Sequence, residues 1–163
     1  MTTGKQAHLE DARTIQAELL KLVEGMGYCL DWKPDPGQWS ARQVIYHLLE
    51  TPPGGLAPLL RGIFSGSLRE FDLWADQDHV TPERLALGLE EVEGDIGRYF
   101  QDLEQAIQAA DEEDFTAKAV LAHWKSRDRD QERTAQSLLE GLFARHWREH
   151  LVQLGELRES LGI

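Results

Sequence analysis

At 163 residues the chain has the length of one domain with a single substantial core, and its 41% hydrophobic and 28% charged residues are ordinary for a globular protein. With 29 acidic against 17 basic residues the net charge is −12, which argues against nucleic acid and against an anionic membrane surface, since both are bound by concentrated Lys and Arg. Apolar runs are too short to span a bilayer, the N-terminus "MTTGKQAHLEDARTIQ" lacks an apolar signal core, and a single cysteine excludes a disulfide or a multi-thiolate metal site within the chain. A cytoplasmic protein with one domain over 1–163 is expected.

In chain order, residues 8–28 set Ile15, Leu19, Leu22 and Met26 on one helical face that ends near Gly27, with Cys29 as a small buried filler. The loop "DWKPDPGQWS" is a firm break. Ser40 then caps a second helix, and Gln43 completes a capping box. That helix carries Val44, His47, Leu48 and Thr51 on one side; "PPGG" (52–55) interrupts it, and "LAPLLRGIFSG" resumes it in a new direction. A long helix is predicted over 80–110, with Thr81 as N-cap, Pro82 in the first position and Glu83 at the positive end of the dipole. Its seam runs through Leu85, Leu89, Val92, Ile96, Tyr99 or Phe100, Leu103 and Ile107, and it stops at "DEEDF". In the connection 111–133 the charges of "KSRDRDQER" alternate and come out nearly neutral. The last helix starts at Thr134 and frays after Leu161. No stretch shows sustained strand alternation, so the expectation is an all-α antiparallel four-helix bundle.

Of the histidines, His8, His79 and His123 fall in polar surroundings and are expected at the surface, His123 on a short helical turn. His47, His146 and His150 differ in lying on or beside the apolar stripes of the second and last helices, where their imidazoles point inward. A divalent cation satisfies one nitrogen on each of three buried rings, and three histidines plus water is a recurrent zinc or nickel set. Spacing alone leaves open whether these are ligands or hydrogen-bonded core residues. "HWREH" also fits the H-x-x-E-H protease signature with Glu149 as base, but only thirteen residues follow His150 and no strands are visible, so that match is accidental and Glu149 is read as solvent-facing or supporting a ligand.

"WSARQVIYHLLE" (39–50) resembles the entry to the second helix of the DinB/YfiT superfamily, and "RHWREHLVQLGELRESL" (145–161) resembles its last helix with an H-x-x-x-H pair and a Leu-x-x-Leu tail. The resemblance implies an up-down-down-up four-helix bundle, commonly a homodimer, with His47, His146 and His150 as metal ligands, Trp39 as packing and Ser40 as cap. It further implies metal-dependent chemistry with a low-molecular-weight thiol, as in S-transferases or a maleylpyruvate isomerase. "PPGG" so soon after His47 departs from that pattern and reshapes the pocket mouth.

The resulting expectation is a metal-dependent enzyme in which zinc or nickel activates a thiol or water toward a small-molecule substrate, as an S-transferase or a hydrolase. Glu50, three residues after His47, is the candidate base or supporting acceptor, and Tyr46 and Trp147 are candidate pocket walls, although core packing accounts for either. The competing expectation is a non-catalytic dimeric helical module with a structural or vestigial metal site.

Overall fold

The seam through Ile15 and Leu19 forms α1 (Gly4–Val23) in the computed structural model, which describes residues 4–163 and so leaves the first three residues of the N-terminal stretch outside it. Ala12, Ile15, Leu19 and Val23 are fully buried, spaced as one helix face. A 3₁₀ turn (Met26–Tyr28) follows, with Met26 in the core, and Cys29 is buried as expected of a filler. α2 (Ala41–Leu49) opens on the capping box: the Gln43 N–H donates to Ser40 Oγ and the Ser40 N–H to Gln43 Oε1. Arg42 fixes this helix from its other side. Its buried guanidinium donates to Asp31 and to the carbonyls of Arg84 and Leu87. The Pro-Pro-Gly-Gly turn ends α2, and α3 (Leu56–Ser65) resumes the rod. Gly55 (φ 92°) has a backbone that side chains rarely adopt, and the Tyr99 ring covers its Cβ position.

The long helix predicted over 80–110 divides. Thr81 and Pro82 do start a helix, but it is the single turn α4 (Pro82–Leu85), and Leu85 is exposed rather than part of the seam. Gly88 is extended, Glu91 folds back onto its N–H, and α5 (Leu89–Ala109) begins anew. Val92, Ile96, Phe100, Leu103 and Ile107 carry its buried stripe, so Phe100 takes the seam position left open between it and Tyr99. Helix α5 packs on α1 and α3, whereas the C-terminal rod packs on α1 and α2. The broken second helix thus closes a ring of four, around a core in which Trp147 meets Tyr99, Phe100 and Phe143.

The strictly all-α expectation is corrected by a three-stranded sheet. After α6 (Asp114–Ala117) come β2 (Ala119–Trp124) and β3 (Arg129–Thr134), and β1 (Glu70–Leu73) precedes α4. The order is β1-β2-β3, β1 parallel to β2 and β3 antiparallel to it. These strands escape a hydrophobicity reading because β1 is short and β3, "RDQERT", alternates in charge and not in apolarity.

Thr134 ends β3 and caps the last rod, its Oγ1 accepting from the Ser137 N–H. The rod is α7 (Ala135–Leu138), a π-helical stretch over Leu139–Arg145, and α8 (His146–Leu161), closed by Gly162 in the left-handed region. The wider turn makes the His146 N–H reach back to the Gly141 carbonyl, five residues earlier. Phe143 and Trp147 thereby stay in the core while His146 is presented beside α2.

Candidate metal centre

Three imidazoles converge where α2 faces the start of α8. His47 comes from the last turn of α2; His146 and His150 stand one turn apart on α8. Ring centroids lie 5.1 Å apart for His47 and His146, and 4.8 Å for each pair that includes His150. Nitrogen atoms, one from each ring, all lie within 4.8 Å of one another, close enough to surround one cation.

Hydrogen bonds orient the rings for that task. His47 Nδ1–H donates to the Gln77 carbonyl at 2.8 Å, leaving the Nε2 lone pair directed at the other rings. His150 Nδ1–H donates to Gln153 Oε1 at 2.7 Å, with the same consequence for its Nε2. His47 Nε2 and His146 Nε2 lie 3.1 Å apart. His146 Nδ1 is buried without a well-formed hydrogen bond, the Leu142 carbonyl being the nearby group that favours a proton there. Thr51 Oγ1 donates to the His47 carbonyl at 2.5 Å, and the Trp39 ring lies 4.9 Å from His47 and stacks toward His150 at 6.4 Å.

Burial, reinforced by the neighbouring imidazoles, pushes His146 down to about 3. His47 is lowered chiefly by burial and further by His150, while the Gln77 carbonyl opposes the shift. His47 and His146 are therefore held neutral, the form in which imidazole binds a metal.

No family model and no curated protein matches this sequence. Among solved structures, YfiT from Bacillus subtilis, described as a probable metal-dependent hydrolase with an unusual four-helix bundle topology, aligns with a TM-score of 0.61. The alignment covers 97% of this chain and 87% of YfiT, at 17% sequence identity. The chain has the YfiT fold. The resemblance read from "WSARQVIYHLLE" and "RHWREHLVQLGELRESL" is supported at that level.

Within this YfiT-like bundle the other candidate residues go elsewhere. Glu50 does not join the three rings: one oxygen accepts from Arg84 at 2.8 Å, the other from the Gly54 N–H, and it lines a separate cleft with Arg84 and Asp95. Tyr46 lines that same cleft, its hydroxyl donating to Asp95 at 2.5 Å, and burial with this carboxylate pushes the phenol well up. Trp147 is fully buried in the core and lines neither the cavity beside His146 nor the cleft around Glu50. His8, expected at the surface, is buried against Phe115, because α1 turns it inward one turn before Ala12. His123 lies on β2 and not on a helical turn, with Asp130 2.8 Å from its Nδ1.

A cavity of about 420 Å³ opens beside His146. Thr51, Trp124 and the exposed carboxylate of Glu149 line it, and so do four arginines. The segment "KSRDRDQER", nearly neutral when averaged, is split by strand geometry. Arg129, Gln131 and Arg133 stand opposite Trp124, Ala122 and Val120, and opposed residues share a face. Asp130 and Glu132 take the other face, where Asp130 holds His123. A period-two reading of the charges is the signal that would have found this wall.

Proposed function

We propose that this protein is a metal-dependent enzyme, with His47, His146 and His150 holding one divalent ion, zinc or nickel, and with a small molecule transformed in the cavity beside His146. The observation that carries the reading is the convergence of three imidazoles, two with Nδ1–H tied to oxygen acceptors and one with an unsatisfied buried nitrogen, next to an open cavity. A set of three rings with carbonyl and amide acceptors behind them is suited to a site that keeps a position for substrate. A structural site would bring a fourth side chain, and none of the described His, Cys, Asp or Glu residues joins the three.

When bound, the ion supplies a Lewis acid that lets a coordinated water or low-molecular-weight thiol lose its proton near neutral pH. The chain's own residues do the rest. Gln77 and Gln153 hold the ring orientations, and Trp39 shields the rings from one side. Glu149, the carboxylate among the cavity's lining residues, accepts the proton of the nucleophile at its side-chain oxygen and passes it to solvent at the mouth. The description of YfiT as a hydrolase supports water as nucleophile; the superfamily resemblance supports a thiol. The up-down-down-up helix order and the homodimer implied by that resemblance belong to this proposal.

Metal analysis of protein purified without a histidine tag tests the reading. About one equivalent of zinc or nickel per chain is expected, with loss of at least nine tenths of it in His146→Ala and in His150→Ala. Less than about a tenth of an equivalent in the parent protein, unaltered by His146→Ala, overturns the proposal. A cobalt-substituted sample should change its visible spectrum on adding a small thiol, since a ligand entering an open position alters the coordination.

A further inference from the structure

Arg127, Arg129, Arg133 and Arg145 line the cavity beside His146 in a chain whose net charge is −12. Of the eight arginines elsewhere, Arg13, Arg42, Arg61, Arg84, Arg98 and Arg148 each face a carboxylate, Arg158 donates to the Leu22 and Glu24 carbonyls, and Arg69 has no carboxylate partner among the described residues. Among the described residues none of the four cavity arginines has such a partner, although 29 acidic residues are available.

Their placement is built and not accidental. Arg133 is half-buried and fixed by Ser137, Nε donating to its Oγ at 3.0 Å and Nη2 to its carbonyl at 2.7 Å, which leaves Nη1 uncommitted. Arg145 comes from the π-helical stretch to the same spot. A Cβ on Gly141 would lie 2.8 Å from Arg133 Nη2 and 3.7 Å from Arg145 Nη2, so both guanidiniums crowd over one glycine that leaves them room. Burial, with the proximity of Arg145, lowers the pKa of Arg133. Arg127 lies over the Trp124 ring at 5.4 Å, and Arg129 stands across from Trp124 on β3. Like charges gathered in a half-enclosed space repel, and the arrangement is relieved by an anion. Guanidinium forks match the two oxygens of a carboxylate or the oxygens of a phosphate.

We infer that this cavity binds a small organic oxyanion, a carboxylate or a phosphate ester, whose charged group sits between Arg129, Arg133 and Arg145 while its reacting end lies toward His146. The inference rests on the proposed enzymatic reading for its reacting end, but the anion-binding wall is made by residues that are not metal ligands. Trp124 and Leu142 offer the remainder of the substrate an apolar surface, and Arg127 closes over the Trp124 side.

Calorimetric titration of the metal-free protein with succinate and with inorganic phosphate tests this. One saturable site is expected for at least one probe. Binding should weaken about tenfold or more in Arg129→Gln and in Arg145→Gln, as expected for loss of a charged hydrogen bond. Arg145→Lys should recover part of the loss, and Arg61→Gln, whose arginine pairs with Asp102 outside the cavity, should bind as the parent does. The Arg129 side chain makes no hydrogen bond to the described residues, so its variant keeps the test valid if Arg145→Gln unfolds. Stronger binding of succinate identifies a carboxylate, and stronger binding of phosphate a phosphate ester. No saturable binding of either, or binding equal in parent and Arg129→Gln, overturns the inference. Stoichiometric metal with no anion binding removes this inference alone; anion binding without metal removes the metal-dependent reading alone.

Discussion

His8 shows how one side chain decides an acid response. It is buried, its Nε2 has no hydrogen-bond partner, and Phe115 covers the ring with centroids 5.4 Å apart. Burial lowers its pKa, against the pull of Glu140, Asp11 and Glu112. Below the ordinary value of about 6.5 the unfolded chain therefore binds more protons than the folded one. Stability falls as pH drops from there, and it is recovered as pH rises. Denaturant midpoints of metal-free protein at pH 7 and pH 5 should show a smaller loss for His8→Leu than for the parent. An equal loss would remove His8 from the account. The neighbouring case is Glu149, part of a protease look-alike in sequence, which the fold places at the cavity mouth beside His146.

At the scale of elements, the seating of His47 depends on how α2 begins. Ser40 and Gln43 satisfy each other's backbone N–H groups, and the helix delivers His47 two turns later. Ser40→Ala should cost about 1 kcal/mol in chemical denaturation. Because His47 rides on that helix, zinc affinity should drop in the same variant, whereas a cap change in α4 such as Thr81→Ala should leave it alone. Equal zinc affinity in parent and Ser40→Ala would uncouple the cap from the centre. This part of the site was legible: a cap, a three- and four-residue period, and a histidine on the stripe are all local signals. The break at Gly88 was less so, since Leu85 and Leu89 keep helical spacing across a chain that leaves the helix between them. The strands were invisible to hydrophobic periodicity, because β1 is short and β3 has no apolar residue, its arginines lining the cavity instead.

For the whole molecule, the centre joins α2 to the C-terminal rod, elements about a hundred residues apart in sequence. A ligand that binds only when those elements are docked stabilises the docked state. With zinc at a hundred times its dissociation constant the gain is about 2.7 kcal/mol. For a domain of this size that corresponds to a rise in Tm of roughly 5–10 °C. Thermal scans with zinc and with a chelator should differ by that amount in the parent and hardly at all in His150→Ala. A parent Tm indifferent to zinc would mean that the three rings do not share an ion. No described helix is long and apolar enough to cross a membrane.

Taken by itself, the sequence determined the helical stripes, the caps at Ser40 and Thr81, and the inward direction of His47, His146 and His150, since each depends on neighbours within a few turns. Tertiary structure alone decided which histidines meet, that Glu50 and Tyr46 turn to a different cleft, and that Trp147 belongs to the core. It also decided that a nearly neutral segment presents arginine to a cavity. The physical reason is the same in each case: a strand's two faces and a bundle's four interfaces are assigned by partners far away in the chain, and composition averages over them.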